Sequence, residues 1–350
     1  MLSRALGALY GLAIGDALGM PVQSLSRAEI LAHHGPLIGE FCPGPDGHPL
    51  AAGRGHWAAG ADVAARISWA TGLATGLTQH QLIETVYRLV VAGGGKVDAA
   101  DLAHDLLAWE ESMRARGSLD LLGPSTRQAL AALAAGADVT EAGRAGLTNG
   151  AAMRITPVGI ATASRHRGLL EDRVVAASRL THNTGVALAG AAAIAMAVSA
   201  GIDGDPLPVA ISRAVAAAAG AAGRGHWAAG ADVAARISWA TGLAQGLGQD
   251  QLIETVYRLV GTSLATQESV PAAFAVAAAC PGDPWLACRI AASLGGDSDT
   301  IAAMTGAICG ACHGAGAFPD AARRTVARVN GLDLDPLADD LLALRTSGHD

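Results

Sequence analysis

The chain has 350 residues, 51% hydrophobic but only 3% aromatic, with 45 glycines and a formal net charge of −7. This mildly acidic balance provides no general attraction to polyanions, so we do not expect nucleic acid as a partner. Apolar residues that are mostly Ala, Leu, Val and Ile favour closely packed helices over a sheet, whose strands use more aromatic residues. Length alone allows one large domain or two ordinary ones.

Helical spacing or helix-forming composition runs through most of the chain, and no segment alternates convincingly between apolar and polar residues. The predicted helices cover, in order, residues 2–18, 99–116, 125–135, 170–180, 185–200, 208–222, 271–279, 284–294, 300–314, 319–330 and 336–346. Four prolines stand where a first helical turn tolerates a missing N–H: Pro271, Pro284, Pro319 and Pro336. We therefore predict an all-α fold.

The longest uncharged run, residues 184–202, is rich in Ala and Gly and has no aromatic or basic flanks. It predicts a buried helix rather than a membrane span. The first residues lack the pattern of a secretion signal, and five cysteines are an odd number, so we expect a cytoplasmic protein. Cys309 and Cys312 have CxxC spacing without a second pair, which favours buried thiols over a zinc or redox site.

A long internal repeat interrupts this pattern, because residues 51–90 match residues 221–260 at 37 of 40 positions. Two copies do not make a solenoid, which needs at least about three stacked repeats. Near-identity in two different surroundings indicates a recent copying event, or an error or deliberate edit in the sequence. Val63, Ile67 and Ala70 lie on one apolar stripe, so the block is predicted to contain an amphipathic helix.

The strongest local pattern is SLGGDSDT at residues 293–300, just before an apolar helical run. Two glycines let the backbone turn tightly, and clustered carboxylate and hydroxyl oxygens suit Mg²⁺ or Ca²⁺. The alternative is a helix N-cap, for which a single Asp, Ser or Thr suffices. From the residues alone, both interpretations stay open.

Two further segments carry weaker patterns. GDALGMPVQ at residues 15–23 ends the first predicted helix. Asp16 could serve as a structural hydrogen-bond acceptor or lie near a site, and the structural role is favoured. TNGAAMR at residues 148–154 is a small-residue loop that enters a helix, where exposed N–H groups could hold a phosphate.

Taken together, four segments resemble the ADP-ribosylglycohydrolase family in order and spacing. They are GALYGLAIGDALGMPVQ (7–23), TNGAAMRITPVGI (148–160), SRLTHNTGVALAG (178–190) and SLGGDSDTIAAMTGAICGA (293–311). The resemblance covers nearly the whole chain apart from residues of about 54–90. It implies a compact, single-domain, orthogonal helical bundle over residues 1–350, with two Mg²⁺ ions in a central cleft. It also implies cleavage of the glycosidic bond between ADP-ribose and its acceptor.

By residue match, the resemblance implies that Asp297 and Asp299 are catalytic and, with Thr300, hold metal. The implied substrate-binding residues are Gln23, Gly117, Gly123, Asn149, Gly150, Ala151, His182, Gly296 and Ser298. Gln23 falls where many relatives have a glutamate close to the scissile bond. An amide can hydrogen-bond a sugar hydroxyl but cannot act as a general base.

The sequence departs from the family at its second acidic motif, of the Thr-Asp-Asp-Thr type, expected about forty residues after GDALG. Residues 57–62 read WAAGAD instead, and Asp62 is the carboxylate that the repeated block supplies there. The copy at 221–260 continues into family-like sequence, so the copy at 51–90 replaces the motif. A dinuclear site needs ligands from both sides to hold cations about 3.5 to 4 Å apart, so one ion or none is expected to bind.

Two functions follow from these patterns. The first is a Mg²⁺-dependent hydrolase, acting as a monomer on an ADP-ribosylated protein or on a small ADP-ribosyl or ribosyl compound. The second is a catalytically inactive, ADP-ribose-binding or regulatory member of the same fold, favoured by Gln23 and by the replaced motif.

Overall fold

The computed structural model describes residues 1–42, 101–104, 106–108, 123–330 and 332–347. In these residues the backbone forms helices, turns and two isolated bridges, with no β-strand. The all-α prediction is therefore confirmed. The first copy of the repeated block, with Asp62, and the predicted site residue Gly117 lie outside the described residues.

Sixteen α-helices are numbered here in chain order within the described part. The first eight are α1 (Leu2–Gly19), α2 (Arg27–His34), α3 (Pro124–Ala134), α4 (Val139–Ala142), α5 (Gly150–Arg154), α6 (Thr156–Ala161), α7 (Arg167–Ser178) and α8 (Gly185–Asp203). The others are α9 (Leu207–Ala221), α10 (Val233–Ala244), α11 (Gln249–Thr255), α12 (Thr266–Ala279), α13 (Pro284–Ala292), α14 (Ser298–His313), α15 (Asp320–Asn330) and α16 (Leu334–Ser347). A π-helical turn, Val256–Val260, continues α11, and 3₁₀ turns follow α1 at Met20–Val22 and α14 at Ala315–Ala317.

Helix α8 lies at the centre of the fold, as the uncharged run predicts. Thr184 caps its start by accepting from the Ala187 N–H at 3.2 Å, and Gly204, with φ 109°, ends it. Helix α8 and the segment Leu2–Val22 are long and apolar enough to cross a membrane, but 89% of each apolar window is buried inside the protein. Apolar residues all round a helix are what burial in a core requires.

The structure differs from the prediction at the start of one helix and in containing the short helix α2. The prediction that Pro271 lies in a first turn is wrong, because α12 begins five residues earlier, at Thr266, and contains Pro271 in its interior. Helix α2 was not predicted, although Ser26 and Glu29 form a capping box there. By contrast, Pro284 is the first residue of α13, as expected.

The second copy of the repeated block contains the amphipathic helix that its sequence predicts. In α10, Val233, Ile237 and Ala240 are buried on one face. Asp232 precedes the helix and accepts a hydrogen bond from the Ala235 N–H at 2.7 Å. In this copy, the block's aspartate is therefore a helix cap.

Helices α1 and α14 pack backbone against backbone. Glycine recurs every four residues along α1, at Gly7, Gly11, Gly15 and Gly19. A Cβ atom on Gly11 would overlap the carbonyl oxygen of Gly306, and one on Gly306 would overlap that of Gly11. At the end of the row, a Cβ on Gly19 would overlap the backbone of Asp299. The row therefore fixes how closely α1 approaches the acidic turn.

We predict that Gly11→Ala lowers the free energy of unfolding by about 1–3 kcal/mol or more, since the new methyl group has no space between the two backbones. Urea denaturation measures this loss. Gly242→Ala, at an exposed position of α10, is the matched control, because its Cβ would meet nothing within 4 Å and alanine favours a helix by about 0.5–1 kcal/mol. Equal stability of the two variants would contradict the packing argument.

Candidate functional site

The acidic turn, residues 295–300, leads into α14 through two glycines in the left-handed region. Gly295 has φ 90° and Gly296 has φ 70°, and a Cβ on Gly296 would overlap the carbonyl oxygen of Thr262. That same carbonyl accepts the Asp297 N–H at 2.8 Å. The tight turn expected from two glycines is present, and it packs against the backbone of Thr262.

The acidic side chains of this turn are buried. Asp297 is 5% exposed, Asp299 1% and Thr300 3%. Asp297 occupies the N-cap position of α14, yet its side chain makes no capping hydrogen bond. Instead, its Oδ1 accepts from the Thr300 hydroxyl at 3.2 Å. Capping alone therefore does not explain these residues.

Asp16 of α1 joins the same cluster. Burial and then the charge of Asp297 raise the pKa of Asp16 well above its ordinary value. Burial raises the pKa of Asp299 in the same way, followed by the charges of Asp297 and Asp16. The Oδ1 atoms of Asp16 and Asp299 are both buried without a hydrogen-bond partner. Asp16 therefore lies beside the two predicted ligands, which agrees with the alternative position near a site and not with the favoured structural role.

The loop of residues 148–150 meets the acidic turn directly. The Asn149 side-chain Nδ2 donates to Asp297 Oδ2 at 2.5 Å and to Ser269 Oγ at 2.9 Å. The Asn149 backbone N–H donates to the Leu264 carbonyl at 2.9 Å, and the side chain is only 2% exposed. Two segments with separate sequence patterns are thus joined by one hydrogen bond.

His182 lies beneath this loop, fully buried. A Cβ on Gly150 would come within 2.8 Å of its imidazole ring, so glycine lets the loop rest on the ring. The Thr148 hydroxyl lies 3.0 Å from Nε2, and the Thr181 hydroxyl lies 2.7 Å from Nδ1. Burial and then the charge of Arg154 lower the pKa of His182 well below its ordinary value. The imidazole is therefore neutral and positions Thr148.

The other predicted site residues fall in different places. Gln23 is half-buried and lies beside the acidic turn, since the next residue, Ser24, donates its N–H to the Gly296 carbonyl at 2.8 Å. Ala151 is fully buried in α5. Ser298 is buried with its hydroxyl 3.4 Å from the Gly19 carbonyl, a helix-packing contact. Gly123 is exposed, just before α3.

The donor atoms of the acidic turn suit a hard divalent cation. They are carboxylate and hydroxyl oxygens, and two buried carboxylate oxygens have no other partner. Oxygen ligands of this kind are those that Mg²⁺ and Ca²⁺ prefer. However, no three His, Cys, Asp or Glu side chains in the described part are arranged to hold a metal ion. The described residues therefore fit one side of a cation site.

The CxxC pair stays outside this site. Cys309 and Cys312 are buried, free thiols in α14. Burial raises the pKa of Cys312 to about 12, so its thiolate form is disfavoured. The prediction of buried thiols is therefore confirmed.

Comparison with known proteins assigns the chain to one family. A sequence model described as ADP-ribosylglycohydrolase matches residues 1–350. A protein of Escherichia coli K12 described as "Uncharacterized protein YegU" is 35% identical over 98% of this chain and 97% of its own length. The chain belongs to the ADP-ribosylglycohydrolase family, a family of glycosyl hydrolases.

Two further similarities are more distant. The ADP-ribosyl-[dinitrogen reductase] glycohydrolase of Rhodospirillum rubrum is 28% identical over 180 residues, 51% of each chain. A solved structure entitled "ADP-ribosylglycohydrolase-related protein complex" superposes with a TM-score of 0.59 and 24% identity, covering 99% of both chains. This structural similarity supports the all-α fold.

The neutral His182 predicts a pH dependence of stability. Its pKa in the folded protein lies well below the ordinary value of 6.5, so below pH 6.5 the unfolded chain binds a proton that the folded chain refuses. Above pH 6.5 His182 is neutral in both states, so it does not change the free energy of unfolding. As the pH falls below 6.5, the free energy of unfolding decreases, by up to about 2 kcal/mol at pH 5.

Urea denaturation at pH 7.5 and pH 5 tests this prediction. His182→Gln should lose less stability between the two pH values than the unchanged protein, whatever its stability at pH 7.5. His33→Gln, at an exposed position of α2, should keep the original pH dependence. An unaltered pH dependence in His182→Gln would refute the buried, neutral imidazole.

Proposed function

We propose that this protein is a Mg²⁺-dependent glycohydrolase that cleaves the bond between an ADP-ribosyl or related ribosyl group and its acceptor. The observation that carries the proposal is the hydrogen bond from Asn149 to Asp297, which joins two family segments at a buried acidic cluster. Family membership supports the reaction class. Water adds to the anomeric carbon, the glycosidic bond breaks, and the acceptor leaves with a proton.

Asp297, Asp299 and Thr300 are the residues that would hold Mg²⁺. When bound, the ion stabilises negative charge that develops on oxygen in the transition state. Its positive charge would also offset the repulsion among Asp16, Asp297 and Asp299, which otherwise raises the pKa values of Asp16 and Asp299. This benefit favours a cation on the α14 side of the site.

The remaining site residues would position the carboxylates and bind the substrate. Asn149 fixes the Asp297 carboxylate through its amide, and its own position is fixed by Ser269. His182 holds Thr148 and thereby the loop that carries Gly150. Gln23 can hydrogen-bond a sugar hydroxyl but takes up no proton, so a general base at this position is missing.

The proposed substrate class is supported by one named relative. The Rhodospirillum rubrum relative bears the name of a glycohydrolase acting on ADP-ribosyl-[dinitrogen reductase], an ADP-ribosylated protein. For this chain we propose an ADP-ribosylated protein or a small ADP-ribosyl or ribosyl compound. Both classes present the same anomeric carbon to the acidic turn.

A second function, ADP-ribose binding without turnover, is favoured by two sequence observations. Gln23 replaces an expected acid, and residues 57–62 replace the second acidic motif. Titration calorimetry with ADP-ribose and Mg²⁺ distinguishes the two functions. Binding without release of product from ADP-ribosylated substrate would favour the inactive form.

We predict that Asp299→Asn lowers the release of ADP-ribose in the presence of Mg²⁺ by about 100-fold or more, because several kcal/mol of transition-state stabilisation depend on the bound cation. EDTA should lower the rate of the unchanged protein similarly. Asp232→Asn makes the same carboxylate-to-amide change at the exposed cap of α10 and should keep full activity, since Asn also caps helices. Equal rates for both variants would count against the proposal.

A complementary prediction concerns the missing acid beside the turn. Gln23→Glu should raise kcat by about 100-fold, the lower end of what a positioned general base contributes. Gln23→Ala removes the amide without adding a base and should give no increase. If Glu at this position leaves kcat unchanged, Gln23 does not lie at the reacting bond.

A further inference from the structure

Arg154, the last residue of α5, is a buried charge that the proposed mechanism does not use. It is 1% exposed, and burial lowers its pKa to about 10, so it stays charged at neutral pH. Its Nη2 donates to the Thr181 hydroxyl at 2.5 Å, and its Nε has no hydrogen-bond partner. In the part of the chain that the structure describes, no carboxylate pairs with it. Burying a cation without a counter-charge is costly, and such groups are typical of functional sites.

The Thr181 hydroxyl links this guanidinium to the imidazole of His182. A guanidinium only donates hydrogen bonds, so Thr181 Oγ1 accepts from Arg154. The hydrogen of the hydroxyl can then point to His182 Nδ1, which lies 2.7 Å away. If Nδ1 carried a proton, two donors would face Oγ1, and the Thr181 hydrogen would have no acceptor among the described residues. This arrangement favours the neutral imidazole with its proton on Nε2.

Beyond His182, the hydrogen bonds continue to the loop before α5 and to α3. His182 Nε2 lies 3.0 Å from the Thr148 hydroxyl, which in turn donates to Ser125 Oγ at 3.0 Å. With the proton on Nε2, each hydroxyl between the two ends accepts one hydrogen bond and donates the next. All four bonds then run in one direction, from Arg154 to Ser125. Hydrogen bonds in such a chain polarise and strengthen one another.

Residues 181–182 hold both ends of one short segment. Thr148 precedes α5, and Arg154 is its last residue. Between them, Asn149 donates to Asp297 Oδ2 at 2.5 Å. The segment that contacts the acidic turn is therefore fixed at its start by the imidazole and at its end by the neighbouring threonine.

We propose that Arg154 is a positioning residue that acts through Thr181 to keep the proton of His182 on Nε2. This tautomer donates to Thr148 and so holds its loop against the acidic turn. The effect on the imidazole stands by itself, whereas the effect on the reaction rests on the proposed function. Because a neutral hydrogen bond typically changes an equilibrium about 2- to 10-fold, we expect its loss to lower the rate by that factor.

Nitrogen NMR of the full chain with labelled histidines tests the tautomer directly. The signals of His182 are identified among those of 11 histidines by their loss in His182→Gln. In the unchanged protein, Nε2 should carry the proton and Nδ1 should not. Arg154→Met keeps a long side chain but removes the donor, so the Nδ1–H tautomer should become populated. Replacing a buried charge by an apolar side chain of similar size is often tolerated.

Arg173→Met is the matched control for this measurement. Arg173 also donates to a threonine hydroxyl, that of Thr162 at 2.9 Å, but it has no part in the chain of hydrogen bonds that reaches His182. The His182 signals of Arg173→Met should therefore match those of the unchanged protein.

The release of ADP-ribose in the presence of Mg²⁺ provides a second measurement. Arg154→Met and Thr181→Val should each lower kcat by about 2- to 10-fold. The double variant should lose no more than either single variant, because both changes interrupt the same chain of hydrogen bonds.

Three outcomes would overturn the inference. They are an Nδ1–H tautomer of His182 in the unchanged protein, an unaltered tautomer in Arg154→Met, and losses of kcat that multiply in the double variant. None of them contradicts the glycohydrolase proposal. If the unchanged protein releases no ADP-ribose, the proposed function falls, and the NMR spectra still decide whether Arg154 fixes the imidazole proton.

Discussion

Helices α1 and α14 lie so close that the carbonyl oxygens of each fill the space where side chains of the other would stand. Only glycine allows this approach, and the repeat of four residues along α1 brings glycine to the contact at each turn. At the end of the row, Gly19 touches the backbone of Asp299. A wider spacing would draw α1 and Asp16 away from the turn and expose the carboxylates to water.

This approach has an electrostatic cost that shapes the site. Three carboxylates share a buried region, where each charge is poorly solvated and repels the others. The Asn149 amide compensates Asp297, but one oxygen of Asp16 and one of Asp299 are left without a hydrogen bond. Carboxylates whose pKa values are strongly raised by burial and by each other are typical of functional sites, and this agrees with the proposed cation site.

The sequence predicted the all-α fold, because composition and helical spacing are local properties. It also predicted the tight double-glycine turn and the buried helix α8, which depend on few neighbours. It did not reveal that Asp16 lies near Asp297, or that Thr148 contacts His182, because those contacts join segments that are distant in sequence. The predicted start of α12 is five residues late because Pro271 marks a possible first turn in the sequence, whereas Glu268 lies in the first turn of the helix itself.

Thr262, whose carbonyl accepts a hydrogen bond from the acidic turn, lies two positions beyond the end of the repeated block at residue 260. The described copy of the block contributes helix α10 and its cap Asp232, but none of the residues proposed to hold a cation. The proposed site is therefore built by segments outside the repeated sequence, where α1, α12 and α14 meet. Repeating residues 221–260 adds none of the carboxylates of the acidic turn to the chain.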